Sequence, residues 1–226
     1  MQESNYRLDW DTVKQDWPLW LVMAGLLLAA VLVYPHLPAK VPGHWNIHGE
    51  IDAYYPKSFG AFFEPLMVIA VYLLMLFTPL IDPKRNNYLR FAGAYRLLRW
   101  AVVLCFGLLY AATILVALGY PVNVALLVKA SVAMLFIITG NFMSQFRHNY
   151  FVGIKTPWTL ASEEVWQRTH RMGARIWVAG GLICLATAPV QASWGAYVFF
   201  IAVLVMVMVP MVYSYVVFHK LHDQTH

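Results

Sequence analysis

Charged residues are scarce in this chain. Only 12% of its 226 residues are Asp, Glu, Lys or Arg, and 61% are hydrophobic, whereas a soluble domain is roughly one-quarter charged and one-half apolar. The mean hydropathy is +0.59. This composition excludes an ordinary soluble domain and indicates an integral membrane protein.

Cysteine is also rare. Cys105 and Cys184 both fall inside apolar runs, where a thiol usually packs as a small apolar side chain, so neither a disulfide framework nor a redox motif is indicated. The chain lacks a Gly-rich phosphate loop, an HExxH zinc motif, a nucleophile elbow and a low-complexity linker. Because no catalytic set is recognisable, we predict that the chain is not an enzyme.

Long apolar runs are what the sequence does contain. A bilayer core about 30 Å thick needs roughly 20 apolar residues in a helix. Six runs approach this length, at 17–35, 59–80, 98–119, 124–144, 174–190 and 195–217. The predicted fold class is an all-α integral membrane protein, a bundle of about six transmembrane helices.

The runs predict a single polytopic domain over residues 1–226. Within it, residues 1–80 form an N-terminal helix pair with an outer loop at 36–58, and residues 81–226 form a four-helix region with a cytoplasmic loop at 145–175. The fifth run, 174–190, is the shortest of the six and contains two adjacent glycines.

Basic residues predict the orientation, because short cytoplasmic loops carry an excess of Lys and Arg. The opposite loops carry only Lys40 and Lys57, and Lys129 lies inside a helix. We therefore predict that both termini are cytoplasmic and that loop 36–58 is outside, rather than a nucleic-acid-binding surface. The thirteen basic residues on the predicted inner side are Arg7, Lys14, Lys84, Arg85, Arg90, Arg96, Arg99, Arg147, Lys155, Arg168, Arg171, Arg175 and Lys220.

The outer loop reads HLPAKVPGHWNIHGEIDAYYPKS over residues 36–58. Its prolines and glycines favour turns over a helix. One interpretation is an ordered cap at the level of the lipid headgroups, where Trp45, Tyr54 and Tyr55 are favoured. The alternative is a zinc-like site, which is the one cofactor that the sequence leaves open. Its ligands would be residues of types that zinc accepts, namely His44, His48, Glu50 and Asp52.

The inner loop contains NYFVGIKTPWTLASEEVWQRTHR over residues 149–171. Gly153 permits a tight bend, and Pro157 disfavours a helical conformation for Thr156. Ser162 followed by two glutamates is typical of an N-cap with acids in the first turn. A helix is therefore expected to begin near residue 162.

Two faces can be distinguished on that helix. Trp166, His170 and Gly173 share one face, and the opposite face is charged. We expect a folded cytoplasmic cap in which Trp158 and Trp166 pack on the helix ends and His170 is hydrogen-bonded. The simpler alternative is a solvated charged surface beside an interfacial aromatic belt.

Two charged residues lie inside predicted membrane helices. Glu64 and Lys129 are each about five residues in from the outer end of their helices. An unpaired charge there costs a few kcal/mol, so we expect the two to pair. The alternative is that both extend outward to the headgroups.

The segment GNFMSQFRHNYFVGIKTPWTLASEEVWQRTHRMG, residues 140–173, resembles the cytoplasmic signature of the SdpI family. These bacterial membrane proteins give immunity to a sporulation-delaying killing peptide. Upstream, LPAKVPGHWNIHGEIDAYYPKS resembles the domain that precedes this signature in many family members. Lys155 replaces the usual Arg of the family's run, which retains the charge but not the bidentate guanidinium.

The resemblance implies a multi-pass protein of the bacterial inner membrane that neutralises a secreted peptide toxin. In the founding example it also implies signalling, because the toxin-bound protein holds a transcriptional repressor at the membrane. Expected partners are therefore the bilayer, a peptide toxin and a cytoplasmic repressor, with no direct contact to nucleic acid.

Family positions can be carried over to this sequence on both sides of the membrane. The cytoplasmic positions are Asn141, Asn149, Gly153, Lys155, Thr156, Pro157, Trp158, Thr159, Trp166, Thr169 and His170. The outer positions are Pro42, His44, Asn46, Gly49, Asp52 and Lys57. Further toxin-binding candidates in the same loop are Trp45, His48 and Glu50.

Two functions of other classes stay open at this stage. A transporter of small solutes or lipids would need polar residues along a path, for which Glu64, Lys129 and Asn141 are candidates. A metal-dependent membrane enzyme would need the outer-loop histidines and carboxylates to converge on one ion that activates water.

Overall fold

A computed structural model of the chain describes residues 6–46 and 49–223, and this part is mostly helical. Two 3₁₀ turns lie at Tyr34–His36 and Arg85–Arg90, and two strands lie at β1 Lys40–Trp45 and β2 Ile51–Pro56. The helices are α1 Trp10–Lys14, α2 Trp17–Val33, α3 Lys57–Ile81, α4 Ala92–Ala117, α5 Val124–Met143, α6 Pro157–Ala161, α7 Glu163–Thr187 and α8 Ser193–Asp223.

Five helices of the described chain, α2, α3, α4, α5 and α8, are long and apolar enough to cross a membrane. Each corresponds to one of the predicted runs. The remaining run, 174–190, forms the second half of α7, whose first half is charged and polar. Length and composition therefore identify five spans rather than the predicted six.

The outer loop forms an antiparallel β-hairpin, so the prediction of an all-α fold is wrong at this point. β1 pairs with β2 from Lys40 opposite Pro56 to Trp45 opposite Ile51, with irregular register on both sides of His44. Both strands are edges, where Pro is tolerated. Gly43 is required by packing, because a side chain there would enter the ring of Tyr55.

The hairpin is fixed to the helices through its buried side. Val41 is fully buried and packs with Leu37, Ala61 and Tyr110. The Tyr110 hydroxyl donates to the carbonyl of Ala61 at 2.9 Å, which satisfies a polar group inside this cluster. The hairpin is therefore seated on α3 and α4 rather than extended away from the bundle.

Small residues allow α7 to pack closely between α5 and α8. A Cβ on Gly140 of α5 would lie 2.8 Å from the backbone nitrogen of Val178, and one on Gly181 would lie 3.0 Å from that of Ile137. Such contacts are typical of membrane helices, which associate through small side chains. The paired glycines of the short run are therefore packing positions.

Side-chain contacts of the connecting segments define two ends of the bundle, the cap end and the hairpin end. At the cap end, the Asn87 side chain donates to the His148 carbonyl at 2.7 Å, and Thr156 lies beside Ser214. At the hairpin end, Lys129 donates to the carbonyl of Val190. Because Thr156 precedes α7 and Val190 follows it, α7 runs from the cap end to the hairpin end.

Candidate functional site

A groove of about 740 Å³ opens at the hairpin end, between the β-hairpin and the first turns of α5 and α8. Its walls are mostly apolar with a few polar groups, which is the usual make-up of a ligand site. The hairpin contributes Gly43, His44, Trp45, Asn46 and Asp52, and the helices contribute Val124, Ala125, Val128, Lys129, Val132, Ala196, Phe199 and Phe200.

Three polar side chains of the groove, His44, Asp52 and Lys129, are each held by a hydrogen bond. The His44 Nδ1 atom lies 2.5 Å from the Asp52 Oδ1 atom, with side chains 64% and 45% exposed. A pair this exposed adds little to stability and can be reached by a ligand. Lys129 donates to the Val190 carbonyl at 3.0 Å.

Other residues of the predicted outer set support the hairpin; Asn46 also lines the groove, whereas Pro42, Gly49, Glu50 and Lys57 do not. The Asn46 side chain donates to the Glu50 carboxylate at 2.9 Å and accepts from the Glu50 amide at 3.0 Å, and Gly49 closes the turn with a φ of 81°. Lys57 donates to the Pro35 carbonyl at 3.3 Å, and Pro42 is buried within β1.

The zinc-like site is only partly visible. The structure brings His44 and Asp52 together but directs Glu50 to Asn46. His48 lies outside the described residues, and within the described ones no three His, Cys, Asp or Glu side chains cluster. The described residues therefore do not assemble the set of ligands that the sequence left open.

Asn149 is the centre of the cap at the opposite end. Its side chain is fully buried and donates to the carbonyls of Arg147 and Val152 at 2.8 and 2.9 Å. Its oxygen accepts from the Val152 amide at 2.7 Å and from the Tyr88 hydroxyl at 3.3 Å. A buried amide satisfied in this way fixes the loop against the 85–90 turn.

His170 holds the following bend. Its Nε2 accepts from the Ile154 amide at 2.9 Å, and its Nδ1 donates to the Trp166 carbonyl at 2.8 Å. This pattern needs the neutral ring with its proton on Nδ1, and burial lowers the pKa of His170 to about 4. Gly153 has a φ of 115°, and a side chain there would enter the His170 ring.

The rest of the cap is packed as the sequence led us to expect. Ser162 caps α7 by accepting from the Val165 amide, which confirms the predicted helix start. Trp166 is fully buried, stacks on His170 with ring centroids 4.0 Å apart and donates to the Phe146 carbonyl at 2.9 Å.

The short helix α6 ties the cap to α8. Thr156 and Thr159 cap α6 reciprocally, and the Thr156 Oγ1 atom lies 3.0 Å from the Ser214 Oγ atom. Half-buried Trp158, in the turn begun by exposed Pro157, packs edge-on against Tyr215 with centroids 5.1 Å apart. The signature segment therefore contacts the cap-end half of α8.

Three residues of the cytoplasmic signature take no part in the hydrogen bonds that the structure describes for Asn149 and His170. Lys155 is exposed and donates to the Phe151 carbonyl at 2.9 Å. Asn141 is exposed on α5. The Thr169 hydroxyl is fully buried and has no partner within the described residues. The structure therefore does not bring these three together with the Asn149 and His170 contacts.

A buried ion pair between α2 and α4 is not indicated by any sequence pattern. Asp16 is 0% exposed and Arg99 is 3% exposed. The Arg99 guanidinium donates to Asp16 through Nε at 2.9 Å and also through Nη2. The Tyr72 hydroxyl donates to the same Asp16 oxygen as Arg99, at 3.2 Å, and the other Asp16 oxygen accepts from the Trp100 indole at 2.8 Å.

The expected pair of Glu64 and Lys129 is wrong. Lys129 donates to a backbone carbonyl of the segment after α7, and no ion pair within the described residues includes Glu64. Glu64 lies on α3 near Tyr110. The similar depth of Glu64 and Lys129 in their helices suggests that they pair, but the two side chains contact different neighbours in the bundle.

Comparisons with known proteins agree with the signature. Residues 145–214 match the SdpI/YfhL protein family. The chain carries an SdpI-family domain. The predicted resemblance is thereby confirmed, and the immunity protein SdpI of Bacillus subtilis is 27% identical over 202 residues, covering 89% of this chain and 95% of that protein. Residues 21–69 match a domain of unknown function (DUF1648), and no solved structure matches.

The two matched regions contribute different parts of the two candidate sites, which are the groove at the hairpin end and the cap at the opposite end. The SdpI-family domain contains the cap, α7 and the groove wall from α8, whereas the 21–69 region contains the hairpin wall. The groove wall from α5 lies between the two. With its five long apolar helices, this chain is a multi-pass membrane protein.

Proposed function

We propose that this chain is an immunity protein of the bacterial cell membrane that binds a secreted, membrane-active peptide in the groove at the hairpin end. Similarity to an immunity protein over nearly the whole chain supports the biological role. The structural observation that carries the binding role is the groove itself, because it is large, mostly apolar and partly open.

The proposal includes six membrane crossings with both termini in the cytoplasm. α7 runs between the same two ends as the five apolar helices, and its charged first half lies at the cap end with Arg168, Arg171 and Arg175. An excess of basic residues marks the cytoplasmic end. The hairpin and its groove then face outward, where a secreted peptide arrives.

The groove suits an apolar peptide that has entered the outer leaflet. Phe200 of α8 is 58% exposed and lines the groove together with Val128 of α5. Binding such a peptide in the groove removes apolar surface from solvent or lipid and withholds the peptide from the bilayer. Trp45 at the hairpin side supplies an amphipathic ring suited to headgroup depth.

The test is survival of a toxin-sensitive strain exposed to the sporulation-delaying killing peptide. Expression of the wild-type chain is expected to protect, and Phe200→Ala is expected to weaken protection. Ile201→Ala is the matched control, because Ile201 is 60% exposed but does not line the groove. The proposal fails if the wild type gives no survival advantage, or if combined alanines at Trp45, Phe199 and Phe200 leave protection intact.

Signalling to a cytoplasmic repressor is the second part of the proposal. α8 lines the groove through Phe199 and Phe200 and contacts the cap through Ser214 and Tyr215. A ligand shifts a protein between states only by preferring one of them, and α8 is an element that reaches both sites. Trp158→Ala is expected to reduce repressor recruitment to the membrane while peptide binding is unchanged; equal loss of both would contradict this part.

A further inference from the structure

Lys129 occupies a special place at the hairpin end. It lies in the second turn of α5 and lines both the groove and an adjoining cavity of about 240 Å³ beside residues 188–191. Its neighbours in the groove wall, Val128 and Val132, are apolar. A cation is therefore placed in a wall that otherwise favours apolar ligands.

The charge of Lys129 is not neutralised by a carboxylate in the described part of the chain. Its hydrogen-bond partner there is the Val190 carbonyl at 3.0 Å. An ammonium has three donors, so two remain for a ligand. Asp52, the carboxylate that also lines the groove, is already engaged by His44.

The geometry points to Lys129 as the receptor for a carboxylate of the bound peptide. This inference rests on the proposed function and adds a chemical requirement to it. The apolar part of the peptide packs along the α5 and α8 walls, and its carboxylate pairs with the Lys129 ammonium. The carboxylate comes either from the C-terminus of the peptide or from an acidic side chain.

A purely structural role for Lys129 makes a different prediction. The segment at Val190 follows the end of α7, and a cation near the last carbonyls of a helix is stabilising. In that case its removal lowers stability but does not change which peptides the groove prefers. The preference for a charged peptide is therefore the informative measurement.

The experiment measures equilibrium binding of the sporulation-delaying killing peptide to the full-length protein in lipid nanodiscs. Three synthetic forms are compared: the native peptide, the C-terminally amidated peptide, and a peptide with its Asp and Glu replaced by Asn and Gln. The protein variants are Lys129→Gln, Lys129→Arg and Lys57→Gln. Lys57 is the matched control because it also donates to a carbonyl at the hairpin end but lies outside the groove.

The wild type is expected to bind one neutralised form at least about tenfold more weakly than the native peptide, the effect of one charge-assisted hydrogen bond. That form identifies the source of the carboxylate. Lys129→Gln should bind all three forms alike, whereas Lys129→Arg and Lys57→Gln should keep the wild-type preference.

Equal binding of the three forms by the wild type overturns the inference and leaves the proposed function standing. A preference that survives in Lys129→Gln overturns it as well. If the wild type binds none of the forms, the proposed function itself fails. Because the comparison of peptides uses the wild-type protein, its result stands even if Lys129→Gln does not fold.

Discussion

Replacing Arg99 with methionine removes one half of the buried ion pair between α2 and α4. Asp16 is then left fully buried, with the Trp100 indole and the Tyr72 hydroxyl as its remaining donors. Breaking a buried pair from one side typically costs about 3–5 kcal/mol. We expect Arg99→Met to lower the free energy of unfolding by an amount in this range.

The double variant measures the interaction energy between Asp16 and Arg99 separately from the effect of losing either residue. Asp16→Asn removes the charge without removing a helix cap, because the Asp16 side chain makes no capping hydrogen bond to α2. Replacing both members of a buried pair is often nearly neutral. The loss in Asp16→Asn/Arg99→Met should therefore be smaller than the sum of the single losses by about 2 kcal/mol or more.

The assay is reversible unfolding in detergent, followed by tryptophan fluorescence, for the wild type, both single variants and the double variant. The exposed pair of Glu164 and Arg168, 2.5 Å apart and about half exposed, supplies the control. Arg168→Met should cost less than about 0.5 kcal/mol. Additive losses in the double variant, or an Arg99→Met loss no larger than that of the control, would refute the reasoning.

Three further predictions concern the cap and the topology. Gly153→Ala should lower Tm by several degrees, because φ is 115° and the new side chain meets His170; an unchanged Tm contradicts this. Since burial lowers the pKa of His170 from 6.5 to about 4, its contribution to stability is complete above pH 6.5 and is lost as the pH falls toward 4; His170→Gln should flatten the pH profile of unfolding. A cysteine introduced at Ser58 should react with an impermeant thiol reagent in intact cells and one at Ser144 should not, and the reverse result would invert the proposed orientation.

Local signals in the sequence predict local structure well. The start of α7 at Ser162 depends on one hydroxyl and the next few amides, so its determinants are adjacent in the chain. The cap also combines a glycine, a proline and two threonines whose conformational preferences all favour the observed local structure. The burial of Trp166 and His170 follows from their spacing on one helix.

The buried pair cannot be found in the same way. In the sequence Arg99 counts with the basic loop because it stands at the very start of the apolar run 98–119, whereas in the structure it lies about two turns into α4, which begins at Ala92. Asp16 lies just before another apolar run, 83 residues away. No pattern within either segment indicates that the two helices meet at these positions.

The groove poses a related difficulty. Val128, Phe199 and Phe200 belong to runs in which nearly every residue is apolar, so the positions facing a ligand look the same as those facing lipid. The prolines and glycines of the hairpin indicate turns rather than strands, and its two strands pair irregularly around His44. Only the arrangement of distant elements distinguishes these surfaces.

In the proposed topology of six crossings, the close packing of α7 between α5 and α8 also bears on how the protein enters the membrane. α7 falls short of the hydropathy that identifies the five apolar helices, so partitioning into lipid gives it a weaker drive for insertion. Its contacts through Gly140 and Gly181 form only when α5 is already in place. Synthesis reaches α7 before α8, and we expect these two helices to be inserted together as a pair against α5.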